Sequence, residues 1–380
     1  MRRVSIFIKK LRSALIMGKR SRTNNQSPKR TSSVPHFFRT AKGKKEIEVH
    51  SLDFDGCFGP SYEGSGKYKS MAKHNKGFVR SLVDKHEDSN VAELKFMVGS
   101  SRQSTVSELQ AMMQQHQWGV EFSGSCFVEM EAFVTDLNEL FAESKIDISL
   151  DKFLMTDIFH QCALGNTFSQ FVRENGNYLS TIYRDNMQKL SSIVPDLYEQ
   201  ANSMYAYICD IGMAYQIFFD EGKFTLLLTQ MHKIASENPE ADINFYFHED
   251  RKDILTPLCA IFNTHPTLLP YNVTFHPHLH KLGKAKMHSY LAGPIKGTGA
   301  IDNDYKNTAA ELKKMALDLT HPVHEKLFFV TDNLAARFIE VKELEKGITQ
   351  LTSTPLLLKF IETRNRRLCL QETARVGVHC

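Results

Sequence analysis

Short apolar runs alternate along the chain with segments in which apolar residues recur every three or four positions. The runs are typical of β-strands and lie at residues 47–52, 94–98, 148–159, 243–247 and 272–275. The spacing of the other segments predicts helices, at residues 77–86, 224–236 and 254–262 and around 109–113. Because strands separated by helices favour a parallel sheet covered by helices, we predict an α/β fold with a mainly parallel sheet.

The first 45 residues differ from the rest in composition. They contain 14 Lys and Arg and no Asp or Glu, so that the net charge of +4 leaves −10 for residues 46–380. Residues 18–45 are rich in Ser, Thr, Asn and Pro, which is typical of unstructured linkers. We predict a basic, disordered arm over residues 1–45. The basic character is confined to this arm, and we therefore expect no nucleic-acid partner.

The segment from Met1 to Met17 alternates apolar and basic residues. It lacks a clear apolar centre and a small-residue cleavage site, so we do not expect a signal peptide. One interpretation of residues 1–30 is a basic amphipathic helix that contacts an anionic membrane surface. The alternatives are a disordered arm and a true start at Met17.

The seven cysteines are scattered and show no CxxC spacing. This usage is typical of free thiols in a reducing compartment. No apolar stretch reaches the roughly 18–20 residues of a membrane span. We therefore expect a cytoplasmic location, with peripheral membrane association through the arm as the alternative.

Two further segments are longer than the helices and connections that a core of alternating strands and helices requires. Residues 160–222 have an irregular, mostly helical pattern and form either a cap over the sheet edge or additional helices beside the core. We place the core domain at residues 46–300. Residues 301–380 form a predicted C-terminal helical extension, with helices near 309–319 and 334–346.

The most informative motif follows the first predicted strand. Asp53 and Asp55 stand two residues apart, and Gly56 then allows a sharp turn. Positions two apart on a strand face the same way. Two such carboxylates repel each other unless a cation or a proton is shared between them. The pair therefore suits Mg²⁺ and phosphate chemistry.

Other polar residues also follow predicted strands. Ser100 ends the second strand, and Glu249 and Asp250 follow the strand at 243–247. In parallel sheets the ligand binds beyond the carboxyl ends of the strands. We therefore expect these residues to meet the Asp53 motif at one edge of the sheet.

Each motif also has an ordinary structural interpretation when it is taken alone. Asp and Gly are common in turns, and Ser100 could cap the helix that follows it. Lys223 could be a solvated surface lysine. Glu249 and Asp250 could complement the dipole of a helix that begins after them.

Taken together and in this order, four motifs resemble the haloacid dehalogenase superfamily of phosphotransferases, over about residues 46–275. They are the Asp53–Asp55 motif after a strand, a serine after the next strand, a lysine at a helix start and a carboxylate pair after an apolar strand. The resemblance implies a three-layer, Rossmann-like haloacid dehalogenase core with residues 160–222 as a helical insertion or cap. Glu249 stands where many members have Asp or Gly-Asp, which leaves the metal ligand open between Glu249 and Asp250. We favour Asp250.

The resemblance also implies a role for each residue. Asp53 attacks phosphorus and forms an aspartyl-phosphate, and Asp55 protonates the leaving oxygen and then deprotonates water. Mg²⁺ is held by Asp53, by the backbone carbonyl of Asp55 and by Asp250. Ser100 donates a hydrogen bond to a phosphoryl oxygen, and Lys223 supplies a fixed positive charge.

Three short sequence segments resemble a narrower group of proteins within this superfamily. Residues 99–104, 229–233 and 247–255 are similar to haloacid dehalogenase-type effector phosphatases that intracellular bacterial pathogens deliver into host cells. This implies translocation from a bacterium into a host cell and a host phosphoprotein as the substrate, such as a phosphotyrosine protein. The alternatives are a phosphatase of small metabolites or nucleotides, and a catalytically silent, membrane-associated binding protein.

A second candidate cluster is weaker. His276, His278 and His280 alternate and would share one face of a strand, which is a metal-like spacing. Pro277 argues against a regular central strand. We therefore interpret the three histidines as a coincidence in a loop or at a sheet edge, and Cys57 as a small packing residue.

Overall fold

A seven-stranded sheet forms the centre of the part of the chain that the computed structural model describes. The described residues are 44–59, 61–63, 67–86, 91–103, 125–143, 145–158, 168–169, 223–280, 288–289, 293–320, 361–368 and 370. The strands are β1 (Glu46–Leu52), β2 (Ser61–Glu63), β3 (Lys67–Lys69), β4 (Glu93–Val98), β5 (Asp147–Asp151), β6 (Asp242–Glu249), β7 (Val273–Leu279), β8 (His288–Ser289) and β9 (Ile295–Lys296). The helices are α1 (Met71–His74), α2 (Lys76–His86), α3 (Cys126–Leu140), α4 (Phe224–Glu237), α5 (Lys252–Thr264) and α6 (Tyr305–Thr320), and residues 361–368 are also helical.

The sheet has the strand order of a doubly wound fold. Its order is β5-β4-β1-β6-β7-β8, and β9 also pairs with β7. The first five strands are parallel, whereas β8 and β9 run antiparallel to β7. Numbered along the chain, the five parallel strands lie in the order 3-2-1-4-5, and the direction of winding reverses between β1 and β6. This confirms the predicted α/β fold with a mainly parallel sheet, and open sheets of this kind bind ligands at the reversal.

Helices cover both faces of the sheet because alternate strand residues point to opposite sides. Ile47 and Val49 pack in one apolar cluster with residues of α4 and α5. Leu52 and Phe96 pack in a second cluster with residues of α2 and α3. The described core therefore has three layers.

The predicted helices and strands are largely confirmed, with differences at the ends. Helices α2, α4 and α5 match the predicted segments within two residues at each end. Strand β5 is shorter than predicted, since it ends at Asp151. The Asp151 carboxylate accepts a hydrogen bond from the Phe153 N–H (3.0 Å), and the Asp157 carboxylate accepts one from the Leu154 N–H (2.8 Å). Such local bonds compete with the strand ladder and stop it.

Several elements have no counterpart in the sequence-based prediction. The longest is helix α3, and the Oγ of Ser125 caps it by accepting the Val128 N–H at 3.3 Å. The others are the antiparallel pair of β2 and β3 within the polar loop after Asp53, the short elements α1, β8 and β9, and the helical residues 361–368. The predicted helices around 109–113 and at 334–346, the arm over 1–43 and nearly all of the insertion at 160–222 lie outside the described residues.

His276, Pro277 and His278 lie in β7, so the loop alternative is wrong, and the alternative of a position near the sheet edge remains. Strand β7 pairs with β6 along its whole length. On its other side it pairs with β9 at Thr274–Phe275 and with β8 at His278–Leu279. Pro277 therefore lies at the gap between two short partners, where a missing N–H disrupts no antiparallel ladder.

A buried polar layer lies on the sheet face that α2 covers. Glu48 is paired with His50 (Oε1 to Nε2, 2.8 Å), with His86 (3.2 Å) and with the ammonium of Lys85. His50 in turn contacts His248 (Nδ1 to Nε2, 2.9 Å). The Glu48 carboxylate therefore fixes a chain of two histidines across β1 and β6.

The neighbouring histidines of β7 extend this layer. Burial lowers the pKa of His276 to about 4, that of His278 to about 3 and that of His280 to about 4. Burial also lowers the pKa values of His50 and His248. The folded protein thus holds these rings neutral at neutral pH.

No helix among the described residues combines the length and the apolar composition that a membrane span requires.

We predict that the free energy of unfolding decreases in mild acid. A histidine whose pKa is lowered by folding stabilises the folded state fully above about pH 6.5. As the pH falls from there toward the pKa of the folded state, this stabilisation is lost, at about 1.4 kcal/mol per pH unit for each such histidine. The raised pKa values of Asp53 and Asp250 act in the opposite sense, but fewer groups contribute. Urea unfolding at pH 7.5, 6 and 5 measures the effect.

The control replaces one ring at a time. His278→Leu should make the pH dependence shallower, whereas His265→Gln, outside this layer, should leave it unchanged. An equal slope for His278→Leu and the wild type would contradict the prediction.

Candidate active site

Backbone hydrogen bonds join the carboxyl ends of three strands at the site. The Asp53 N–H donates to the His248 carbonyl (3.0 Å), and the Gly99 N–H donates to the Leu52 carbonyl (2.8 Å). A Cβ on Gly99 would lie 2.6 Å from the Ser51 Oγ and 3.0 Å from the Leu52 backbone, so this close approach requires glycine. The residues that follow β1, β4 and β6 are therefore held at one edge, beside the reversal of strand order.

A buried ion pair lies at this edge. The Nζ of Lys223 donates to an Asp53 carboxylate oxygen at 2.6 Å and lies 3.1 Å from a Glu249 carboxylate oxygen. All three residues are buried, and Asp53 is only 5% exposed. Lys223 thus faces two carboxylates that come from the adjacent strands β1 and β6.

Lys223 has an uncommon backbone conformation. It immediately precedes α4 and has φ 58° and ψ 8°. Among the described residues it is the non-glycine residue with positive φ. This region costs an L-residue roughly 1–2 kcal/mol, and such strain collects at functional sites. The conformation and the contacts together place the ammonium group against Asp53.

Glu249 and Asp250 have different surroundings. One Glu249 carboxylate oxygen accepts the N–H groups of Asp250 and Arg251 (both 3.1 Å), and the other faces Lys223. The Asp250 carboxylate lies against the loop after β1, since a Cβ on Gly56 would be 3.0 Å from its Oδ2. Gly56 itself has φ +73°. Glu249 is therefore held by hydrogen bonds on one oxygen, and its other oxygen is buried beside Lys223 without a hydrogen bond from a described residue. Asp250, in contrast, is partly exposed beside the Gly56 turn.

Burial perturbs the charges of this cluster. It raises the pKa of Asp53 to about 7 in spite of Lys223, and, together with Glu249, it raises the pKa of Asp250 to about 6. Burial alone would lower the pKa of Lys223, but Asp53 and Glu249 outweigh this effect and hold it above its ordinary value. The carboxylates thus carry more negative charge than Lys223 neutralises, and a further cation would stabilise them.

The same carboxylates form a candidate metal site. Asp53, Glu249 and Asp250 each offer an oxygen, and these atoms lie within 4.8 Å of one another. Hard oxygen donors of this kind suit Mg²⁺. Asp55 contributes no carboxylate to the group, and its predicted backbone contribution stays a prediction. The donor set therefore fits the magnesium ion that the sequence predicts.

The loop after β4 brings two more predicted residues together. Ser100 is buried, and its Oγ accepts the Arg102 N–H at 3.4 Å. The Arg102 guanidinium forms a two-point ion pair with Asp55, Nε to Oδ2 at 2.8 Å and Nη2 to Oδ1. Asp55 is thus oriented by Arg102, which the sequence analysis did not single out. The only signal for it was an arginine two residues after the predicted phosphate-binding serine.

The chain matches no protein-family model, no curated protein and no solved structure.

We predict that Mg²⁺ raises the melting temperature of the wild-type protein, because an ion held by the folded state alone stabilises it. Asp250→Asn should raise the MgCl₂ concentration needed for this shift by about tenfold or more. Asp253→Asn should leave that concentration unchanged. Asp253 is a matched control, since it is 67% exposed and paired with Arg251. Thermal unfolding against MgCl₂ concentration measures both. Equal shifts in the two variants would contradict the site.

We also predict that binding releases protons. Asp53 and Asp250 have raised pKa values of about 7 and about 6, and a metal ion displaces protons from its ligands. Apparent Mg²⁺ affinity should therefore fall as the pH decreases from 8 to 6. Titration calorimetry in two buffers of different ionisation enthalpy measures the release. A pH-independent affinity with no proton release would reject this assignment.

A pair of glycine variants tests the contact between the turn and Asp250. Gly56 and Gly293 have nearly the same φ, +73° and +71°, but a Cβ on Gly293 meets nothing within 4 Å. Gly293→Ala should therefore cost only backbone strain, about 1 kcal/mol. Gly56→Ala should cost more and should also weaken the Mg²⁺-dependent stabilisation. Denaturant unfolding with and without Mg²⁺ compares them, and equal losses would show that Gly56 does not approach Asp250.

Proposed function

We propose that this chain is a Mg²⁺-dependent phosphatase of the haloacid dehalogenase type, which hydrolyses phosphomonoesters through an aspartyl-phosphate on Asp53. One observation carries the proposal. Asp53 lies at the reversal of strand order, paired with Lys223 at 2.6 Å and within 4.8 Å of two further carboxylates. A nucleophile, a fixed cation and a set of metal ligands are thus combined in the place where such sheets bind ligands.

In the first step a carboxylate oxygen of Asp53 attacks the phosphorus atom, the ester oxygen leaves, and an aspartyl-phosphate forms. Lys223 favours the ionised, nucleophilic form of Asp53, since it counteracts the effect of burial. Its charge also lies beside the place where the phosphoryl group would sit. Fixed positive charge of this kind supplies much of the catalysis in phosphoryl transfer.

Bound Mg²⁺ would offset the repulsion between the anionic nucleophile and the anionic phosphoryl group. Asp53 and Asp250 are the ligands that we favour, because one oxygen of Glu249 already accepts two backbone N–H groups and the other faces the ammonium group of Lys223. The role of Glu249 is then to hold Lys223 and the start of α5 in place.

In the second step water attacks the aspartyl-phosphate, inorganic phosphate leaves and Asp53 is regenerated. Asp55 is the proposed general acid for the ester oxygen and then the general base for this water. Its side chain is 38% exposed, so it is open to solvent at the edge of the site. Ser100 is the proposed hydrogen-bond donor to a phosphoryl oxygen.

We propose a phosphoprotein as the substrate class. This proposal depends on the resemblance of residues 99–104, 229–233 and 247–255 to effector phosphatases. The insertion at residues 160–222 is the proposed cap and would select the substrate, since the residues at the strand ends contact only the phosphoryl group. A panel of phosphopeptides, sugar phosphates and nucleotides compares the proposed substrate class with the small-molecule alternative.

The reaction is tested by hydrolysis of an aryl phosphate with Mg²⁺ and with a chelator. Asp53→Asn should reduce kcat by about 10³-fold or more, as loss of a nucleophile does, and the chelator should abolish activity that MgCl₂ then restores. The matched control Asp253→Asn should retain wild-type kcat. Wild-type turnover no faster than that of Asp53→Asn would reject the enzyme and favour a silent binding protein.

A further inference from the structure

Arg102 is a buried charge, and it pairs with an aspartate that is comparatively exposed. Its side chain is 1% exposed, whereas the Asp55 side chain is 38% exposed. The guanidinium carbon also lies 4.9 Å from the centre of the Phe54 ring. Two hydrogen bonds to Asp55 and the contact with the Phe54 ring therefore fix the direction of the guanidinium group, and through it the direction of the Asp55 carboxylate.

The backbone that carries Arg102 is itself anchored. The adjacent Gln103 is buried, and its amide nitrogen donates to the carbonyls of Val98 (3.1 Å) and Ser100 (2.7 Å). The Gln103 amide oxygen accepts the Met155 N–H at 3.1 Å. Gln103 thus cross-links the loop after β4 internally and also bonds it to the turn after β5. The backbone of Arg102 is therefore held in a fixed position relative to Asp55.

This arrangement differs from an ordinary surface ion pair, in which both side chains are exposed and can change their conformation. Here the guanidinium group is buried and the carboxylate opens toward solvent. The two-point geometry restricts Asp55 to one orientation. Such a restriction is of use where a carboxylate must meet a reacting atom, because a displacement of about 1 Å can cost about 10²-fold in rate.

We propose that Arg102 is a positioning residue of the active site, which orients the Asp55 carboxylate toward the oxygen that leaves and the water that attacks. This inference rests on the proposed phosphatase function and extends it to a residue outside the four motifs. Arg102 acts through Asp55 and does not bind the phosphoryl group itself.

The test is a double-mutant cycle on aryl phosphate hydrolysis, with Mg²⁺ present throughout. Arg102→Met should reduce kcat by about 10²-fold. In an Asp55→Asn background the same substitution should reduce kcat less than threefold, because the carboxylate that Arg102 orients is already lost. A full 10²-fold loss in both backgrounds would overturn the proposal.

Two further measurements decide the question even if the Asp55→Asn variant has no measurable activity. Inhibition by inorganic phosphate should be unchanged in Arg102→Met, and a tenfold rise of its inhibition constant would mean that Arg102 binds the phosphoryl group. Arg102→Lys keeps the charge but loses the two-point fork, and it should stay at least tenfold below wild-type kcat. Full recovery with lysine would overturn the positioning role.

Arg364→Met is the matched control for loss of a buried arginine. Arg364 is 2% exposed and pairs with Asp302 (Nε to Oδ2, 3.2 Å) away from the site. The Arg364→Met substitution should lower the melting temperature and leave the kcat of the folded protein near that of the wild type. An inactive wild type would refute the phosphatase function itself, whereas an active wild type with normal Arg102 variants would refute only this inference.

Discussion

The pairing of Lys223 with Asp53 is the interaction on which the site depends. Without it, neighbouring carboxylates from β1 and β6 would face each other in a buried space, which would favour the protonated forms or push the strand ends apart. Lys223 reaches this space through a left-handed residue at the start of α4. The ends of β1 and β6, the start of α4 and the charges of the site therefore depend on one another, because a shift of any one of these elements would separate Lys223 from its carboxylates.

The fold was predictable where the hydrophobic pattern has a single physical interpretation. The runs that became β1, β4 and β6 are buried strands, and α2, α4 and α5 follow the helical spacing. The pattern was uninformative where side chains decide, as at Asp151 and Asp157, whose carboxylates end β5 early. The position of Pro277 within β7 depends on where β8 and β9 leave a gap, which is tertiary information that local sequence does not contain.

The candidate site was predictable in its members but not in all its contacts. Asp53, Lys223, Glu249 and Asp250 were identified because each follows a predicted strand or begins a predicted helix, and the strand order brings those ends together. Arg102 could not be identified in this way, since its significance is its burial and its two bonds to Asp55. Burial of a charge is a property of the folded chain, and no spacing rule predicts it.

The start of α4 has a consequence for how the chain can vary. Lys223 is the first described residue after the long insertion, and its ammonium is held by contacts with the core and by the helix that follows it. An insertion or deletion just before Lys223 would therefore have to preserve this left-handed residue, because a shift of its backbone would move the ammonium group away from Asp53.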